Sequence, residues 1–370
     1  VFFGGASDLQ SDYGSHTQAV AIYAQADYKL TDALKLSLGG RYTHEKKDIR
    51  RYLRINVDAA NNIFTPTVVV NIPYGGVPDA KFENFSPAVT LAYEASPDIN
   101  LYARLARGFK PGGFNGETNL FFAPAAPAGC PFGATELCVP YKAEKVDSYE
   151  VGLKSKLLGG MLTFNLAAFR DEHKDIQLSI FTAAGAAASI IRNAASARIQ
   201  GIEAEIILRP LDALTINANL AFLDSKYKNY IDGGVDVSNN RAFPHAPKFS
   251  ITGGFDWKVL DGDFGKLNLY GDVSHVGKYY TYPYPLTMPS ASDQVAGNTR
   301  SPGRTIVNMR LALSEIPLGS TRASIAAFVR NLTQEDRPTN FIDFGPGFGG
   351  LTLGYFPDPR TWGATVGIEF

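Results

Sequence analysis

Apolar and polar residues alternate along most of the chain. In the stretch 248–259, Phe249, Ile251, Phe255, Trp257 and Val259 occupy odd positions, while Lys248, Ser250, Thr252, Asp256 and Lys258 occupy even ones. A period of two gives an extended strand one apolar and one polar face. Leu214, Ile216, Ala218, Leu220 and Phe222 alternate in the same way with Thr215, Asn217 and Asn219. So do Ile202, Ala204, Ile206 and Leu208 with Glu203 and Glu205, and Val307, Met309, Leu311 and Leu313 with Asn308 and Arg310. The pattern predicts an all-β chain of about thirteen strands. They fall near 17–29, 34–47, 84–95, 99–109, 143–156, 161–175, 198–209, 213–227, 246–259, 266–280, 304–315, 321–331 and 360–370.

The connections between these strands are of two kinds. Tight turns are predicted at 30–32, 96–98, 158–160, 210–212, 261–263 and 317–320, each between two alternating runs. Long irregular segments such as 48–83, 110–141 and 281–303 fill the other intervals. All short turns therefore lie at one end of the sheet and all long loops at the other. Propeller repeats are shorter and more even, and sandwich strands are shorter. A transmembrane antiparallel up-and-down β-barrel fits better, with apolar-out, polar-in strands, short periplasmic turns and long outside loops. It also accounts for Asp27, Arg41, Glu45, Glu150, Lys154, Glu203, Glu205 and Arg310 on strands, because a wet lumen spares the cost of burying them. Tyr28 and Tyr93 beside the short turns, with Tyr42 and Phe85 at the far ends, suit interfacial aromatic girdles.

Composition narrows the function classes. The 370 residues carry 35 Lys+Arg against 36 Asp+Glu, a formal net charge of −1, so nothing attracts nucleic acid in bulk. No apolar run approaches the ~18 residues of a membrane helix. His16, His44, His173, His245 and His275 are scattered without metal-ligand spacing, and no nucleophile elbow or Walker loop occurs. Gly345–Gly350 matches G-x-G-x-x-G only formally, with Pro346 removing an amide and no helix following. The chain is thus read as lacking catalytic residues, metal ligands and cofactors. Cys130 and Cys138 share the long 110–141 segment, where a disulfide would staple an outside loop; two free thiols are the alternative.

The final strand alternates Trp362, Ala364, Val366, Ile368 and Phe370 with Thr361, Gly363, Thr365, Gly367 and Glu369. A terminal amphipathic strand closing on an aromatic resembles the assembly signal of bacterial outer-membrane proteins, which assigns Trp362, Val366, Ile368 and Phe370 to recognition by the barrel-assembly machinery. Single-chain bacterial barrels have even strand numbers, whereas the count here is odd. Counting back from a periplasmic end makes residues 1–16 the remnant of an extracellular loop, and 1–370 the C-terminal portion of a larger barrel. An extra hairpin within 177–193 would alter that count.

Several segments resemble TonB-dependent outer-membrane receptors. They are Tyr102–Gly116, Glu144–Lys154, Phe169 through Lys174-Asp175-Ile176-Gln177, Gly201–Glu205, Val329-Arg-Asn-Leu-Thr333 and Pro359–Phe370, in the family's order and covering nearly the whole chain. The resemblance implies a 22-stranded barrel filled by an N-terminal plug, importing a scarce nutrient, foremost a ferric siderophore. It implies coupling to the TonB energy-coupling complex through a TonB box and plug, neither of which is recognised in these 370 residues. Outer-membrane lipid and lipopolysaccharide would surround the barrel. A passive porin-like channel, or TonB-dependent uptake of a glycan or other non-iron ligand, is the alternative. For ligand contact, Tyr279, Tyr280, Tyr282 and Tyr284 stand at a strand top entering a loop, and Arg107, Lys110 and Arg241 offer cations to an anionic ligand. The same tyrosines suit the outer girdle, and the cations suit lipopolysaccharide or water.

Overall fold

The computed structural model describes residues 7–59, 63–77, 79–116, 139–182, 188–232, 234–287, 295–345 and 349–369. Thirteen antiparallel strands follow one another in sequence order across one sheet. They are Ser7–Lys29 (β1), Leu34–Ala59 (β2), Ala80–Ser96 (β4), Ile99–Lys110 (β5), Glu144–Leu157 (β6), Leu162–Thr182 (β7), Ala188–Leu211 (β8), Leu214–Asp232 (β9), Phe249–Gly262 (β11), Gly265–Val276 (β12), Arg304–Leu318 (β15), Thr321–Arg330 (β16) and Thr361–Glu369 (β19). Ile63–Ile72 (β3) and Val235–Asp236 (β10) pair with β2 and β9. Two small ribbons form in the loops, Tyr279–Tyr280 (β13) with Arg300–Ser301 (β14), and Asn340–Asp343 (β17) with Thr352–Tyr355 (β18).

The up-and-down order and the segregation of short turns from long loops agree with the sequence pattern. Strand ends differ. The β1–β2, β7–β8 and β8–β9 pairings run well past the stretches expected from alternation. Among the described residues of 177–193 there is no extra hairpin; 177–182 and 188–193 extend β7 and β8, with Gln177 paired to Asn193 and Thr182 to Ala188. Register slips there at His173/Ile176, where Asp175 adopts a left-handed φ of 54°. One extra residue is absorbed as a bulge. At the opposite end, the β6–β7 turn places Leu158, Gly159 and Gly160 at positive φ, a conformation glycine adopts without a Cβ clash.

Register fixes the two faces, because directly opposed residues on neighbouring strands project to the same side. One row reads Leu101, Leu153, Leu166, Ala204, Leu220, Ile251 across β5 to β11. The row toward the loops reads Ala103, Val151, Ala168, Ile202, Phe222, Phe249. The next two toward the turns include Phe164, Ile206 and Ala218, then Leu162, Leu208, Ile216 and Phe255. From Leu214 to Phe222 this apolar band runs about 26 Å along β9 at 3.3 Å per residue, or about 20 Å of thickness at a 40° tilt, close to a barrel's lipid band.

The band ends in charge at Arg107 and Asp147 on β5 and β6, but one row earlier, at Arg170 and Asp224, on β7 and β9. A boundary that steps across the strands is what tilted strands produce. Large apolar side chains on this face stay open, Ile202 at 50% and Phe222 at 54% exposure. Water would penalise so continuous a patch, whereas lipid satisfies it. β1 and β19 end the strand path, and among the described residues neither has a further neighbour.

Candidate functional site: the polar wall and its loop canopy

The other face of the same strands is polar. Asn100, Lys154, Asn165, Glu205, Asn219, Thr252 and Ser274 form one directly opposed row. Asn165 Nδ2 donates to Glu205 Oε2 at 2.8 Å, and Tyr102 Oη donates to Glu150 Oε1 at 2.7 Å. Lys154 Nζ lies 5.8 Å from the Tyr102 ring centre. Tyr102, Lys154, Asn165 and Glu205 border a recess of about 360 Å³ with Glu203. Farther along the sheet, Asn308 Nδ2 donates to Asp272 Oδ2 at 2.8 Å. Asp256, Tyr270 and Arg310 share a second row. Both signs of charge are interspersed with amides and hydroxyls, so the wall presents hydrogen-bonding groups to water without a strong field of one sign.

At the loop end, the segments after β9, β12 and β16 fold onto one another. Ala242, Tyr284 and Ala296 form a small buried core against which Tyr280 and Tyr282 pack. The Tyr282 and Tyr284 rings stack with centres 5.0 Å apart and planes 9° from parallel. Tyr279 Oη donates to the Thr339 carbonyl at 2.6 Å and accepts from Arg304 Nη1 at 3.3 Å. Tyr282 Oη donates to the Phe341 carbonyl at 3.2 Å. The two hydroxyls thus tie the β12–β15 connection to the β17 ribbon. Arg241 ion-pairs with Asp232, and its guanidinium lies 5.3 Å from the Tyr230 ring centre.

The four tyrosines and Arg241 therefore gather in one canopy, joined by the Arg241–Pro285 bridge and the hydrogen bond from the Ala242 amide to the Tyr284 carbonyl. Arg107 and Lys110 are separate from it. Arg107 belongs to the outward face, where its Nε donates to Asp147 Oδ1 at 2.6 Å. Lys110 has the opposite strand parity and pairs in register with Glu144. Cys130, Cys138 and Phe370 lie outside the described residues. Trp362, Val366 and Ile368 share the exposed outward face of β19, at 81%, 74% and 55%.

Two loop anchors were not singled out by the sequence pattern. In the first, buried Asn331 at φ 52° donates from Nδ2 to the carbonyls of Glu335 and Asp358, both at 2.9 Å. Its Oδ1 accepts the Glu335 amide at 2.8 Å. Glu335 accepts from the Thr305 amide at 3.1 Å and pairs with Arg337. Hydrogen bonds from the Arg337 guanidinium hold the Glu335 carboxyl down at about 2, against an ordinary 4.5. In the second, Gln177 Nε2 donates to the carbonyls of Pro111 at 2.9 Å and Lys142 at 3.1 Å, while Asn193 both accepts from and donates to the Lys142 backbone. Asn115 bonds the Ile191 amide and carbonyl at 2.7 and 3.0 Å. Both ends of the β5–β6 connection are thereby fastened to the β7–β8 hairpin.

A tilted up-and-down sheet with a lipid-facing band, a polar inner wall and all its long loops at one end defines an outer-membrane β-barrel protein. Residues 2–332 match the family model described as TonB dependent receptor-like, beta-barrel, and the chain belongs to that family of outer-membrane receptors, which is made up of receptors and transporters rather than enzymes. It is 22% identical over 272 residues to the pesticin receptor of Yersinia enterocolitica, covering 74% of this chain and 35% of the relative. It is 24% identical over 267 residues to the metal-pseudopaline receptor CntO of Pseudomonas aeruginosa, covering 71% and 32%. The fold is similar to that of the ferric yersiniabactin uptake receptor FyuA from Yersinia pestis, with a TM-score of 0.70 at 20% identity over 98% of this chain and 47% of the other. The ferric-catecholate import receptor Fiu from E. coli K12, in its closed form, gives a TM-score of 0.65 at 16% identity over 96% and 45%. The chain spans about a third of the length of these relatives and under half that of these structures.

Proposed function

We propose that this chain is the C-terminal barrel portion of a TonB-coupled importer of a metal chelate, a ferric siderophore foremost. The observation that carries the reading is family membership across 2–332, alongside relatives named as receptors for pesticin and for metal-pseudopaline. The outer edges of β1 and β19, which have no neighbour among the described residues, suit pairing with further strands of a larger barrel. Capture belongs to the loop canopy, and passage to the polar wall beneath it. With the Tyr279 and Tyr282 hydroxyls engaged by backbone carbonyls and Arg241 engaged by Asp232, the canopy offers a chelate aromatic ring surface more than free donors or charge. A plug and the TonB complex supply gating and energy. The barrel-assembly machinery reads the outward residues of β19, and Cys130 and Cys138 form a loop disulfide.

The test is uptake of radiolabelled iron, presented as a panel of ferric siderophores, by cells with and without the gene in tonB-positive and tonB-negative backgrounds. The reading requires uptake that needs both the gene and TonB. Gene-dependent but TonB-independent entry of small solutes would favour a porin-like channel. TonB-dependent uptake of a glycan would keep the coupling and replace the substrate.

A further inference from the structure

Asn115 and Gly116 form the only Asn-Gly pair in a chain with 36 glycines. Each residue is required where it stands, for a separate reason. Pairing of β8 with β9 ends on the loop side at Ala195, so Ile191, farther along toward the loops, has no β9 partner among the described residues. The Asn115 side chain takes that place. Its Oδ1 accepts the Ile191 amide at 2.7 Å, and its Nδ2 donates to the Ile191 carbonyl at 3.0 Å. A side-chain amide offers that acceptor and donor side by side, as a neighbouring strand would. Asn115 is 6% exposed and Phe114 beside it 5%. At 116, a Cβ would lie 2.8 Å from Cγ and Cδ1 of Tyr13, so packing against that ring on β1 favours glycine.

Together the two requirements create a chemically labile side chain. Glycine leaves the amide nitrogen of 116 without a neighbouring Cβ to hinder its approach to Asn115 Cγ, and asparagine is among the thermolabile residues. When that nitrogen bonds to Cγ it gives up its proton, the Cγ–Nδ2 bond breaks, and Nδ2 leaves as ammonia with that proton. The resulting succinimide takes up one water, which opens either of its carbonyl–nitrogen bonds and leaves aspartate or isoaspartate at 115. No electrons are transferred. While both amide atoms are bound to Ile191, the side chain is committed to β8, so reaction requires the 111–116 segment to open. In the product, a carboxylate oxygen replaces Nδ2 opposite the Ile191 carbonyl, acceptor facing acceptor in a buried position. Isoaspartate additionally lengthens the backbone. Neither product re-forms the pair of bonds.

We propose that Asn115 is a spontaneous deamidation site, gated by opening of the 111–116 segment, whose product can no longer fasten the β5–β6 connection to β8. The latch is thereby one-way. Gln177 holds the same connection at Pro111 and Lys142, and Gly113 pairs with Tyr141, so these contacts set how often the segment opens. The change accumulates with age, so old and newly made molecules differ in how this outside connection is held, whatever the receptor imports.

The full chain, folded in mild detergent, is aged at mildly alkaline pH and digested, and peptide mass spectrometry with separation of isoaspartate follows conversion at Asn115. Urea-unfolded protein and the variant Gln177→Ala are treated alike. The proposal requires unfolded protein to convert at least about tenfold faster than folded protein, and folded Gln177→Ala to convert about tenfold faster than folded wild type. Hydrogen exchange at the Ile191 amide should be at least about tenfold faster in Asn115→Asp than in wild type, with the Leu153 amide in β6 unchanged. Equal conversion in folded and unfolded wild type, or no conversion in unfolded protein, overturns the proposal. So does a Gln177→Ala rate equal to that of wild type, or wild-type protection of Ile191 in Asn115→Asp. Should Gln177→Ala lose its heat-modifiable folded band, sub-denaturing urea on wild type takes its place. Conversion at Asn115 must then rise before global unfolding, and a flat rate up to that point overturns the proposal equally.

Discussion

Replacing Asn331 with alanine removes the hinge pin of the loop between β16 and β19. The side chain donates to the Glu335 and Asp358 carbonyls at 2.9 Å and accepts the Glu335 amide at 2.8 Å, all in a buried position. Three hydrogen bonds at about 1 kcal/mol net each give about 3 kcal/mol. Asn331 also holds φ at 52°, which alanine tolerates worse than asparagine by about 1 kcal/mol. The local cost is therefore about 4 kcal/mol, and Asn331→Gly, free of the φ term, should cost about 3 kcal/mol. At 1.36 kcal/mol per factor of ten, hydrogen exchange at the Glu335 amide should accelerate by about a thousandfold in the alanine variant. The amide of Ala327, within β16, should be unaffected. The assay is exchange followed by mass spectrometry or NMR on detergent-solubilised protein. Acceleration of less than about tenfold at Glu335 would refute the reasoning, since the hydrogen bonds would then not be what closes the loop.

The same anchor should respond to acid. The Glu335 carboxyl is held at about 2 instead of 4.5, so its contribution is fully present above pH 4.5 and is lost as pH falls toward 2. With half-exposed Arg337 screened by solvent, that amounts to about 2 kcal/mol, read as faster proteolysis of the β17 segment below pH 4. Glu335→Gln should abolish the pH dependence; an identical acid response in that variant would contradict the assignment. On the sheet, Leu166→Arg puts a cation in the middle of the lipid band and should cost about 2–4 kcal/mol in urea titrations of vesicle-embedded protein. The adjacent Asn165→Arg faces the polar wall and should cost far less, so equal costs would reverse the faces. Gly152→Val sets a Cβ 2.4 Å from Cζ of Tyr102, forcing the ring off its 2.7 Å bond to Glu150. Tyr102→Ala should rescue much of that loss, whereas strictly additive effects would mean that the ring does not lie over the glycine.

The period of two was enough to locate the thirteen strands of the main path, because each must satisfy lipid on one side and water on the other, but not β3 and β10 of the same sheet, β3 lying inside the 48–83 segment read as an irregular connection. The upper parts of β2, β7 and β8 stand beyond the apolar band. Alternation continues there on β2, with Leu53, Ile55 and Val57 against Arg54 and Asn56, and on β7, with Ile176, Leu178 and Ile180 against Gln177 and Ser179, but the start of β8, 188–197, carries none. The outward direction of Arg107 was legible, since it continues the parity of Leu101, Ala103 and Leu105 on β5. That parity separates it from Lys110 on the same strand. The tyrosine canopy was legible only as a cluster near a strand top. Its pairing with Thr339 and Phe341, some sixty residues away, depends on loop-to-loop contacts that local sequence does not encode. Likewise, the string Val329–Thr333 marked Asn331 as part of a family-like segment, but its partners Asn308 and Asp358 come from other elements.

The central claim is that alternate residues of each strand face lipid and a wet lumen in the outer membrane. Single nitroxide labels at 215–222 on β9, in a background with Cys130 and Cys138 replaced, test it directly after reconstitution into vesicles. Collision with membrane-dissolved oxygen should peak at 216, 218, 220 and 222, and collision with a water-soluble nickel chelate at 215, 217, 219 and 221. Accessibility without that alternation, or with the two sets exchanged, would contradict the account.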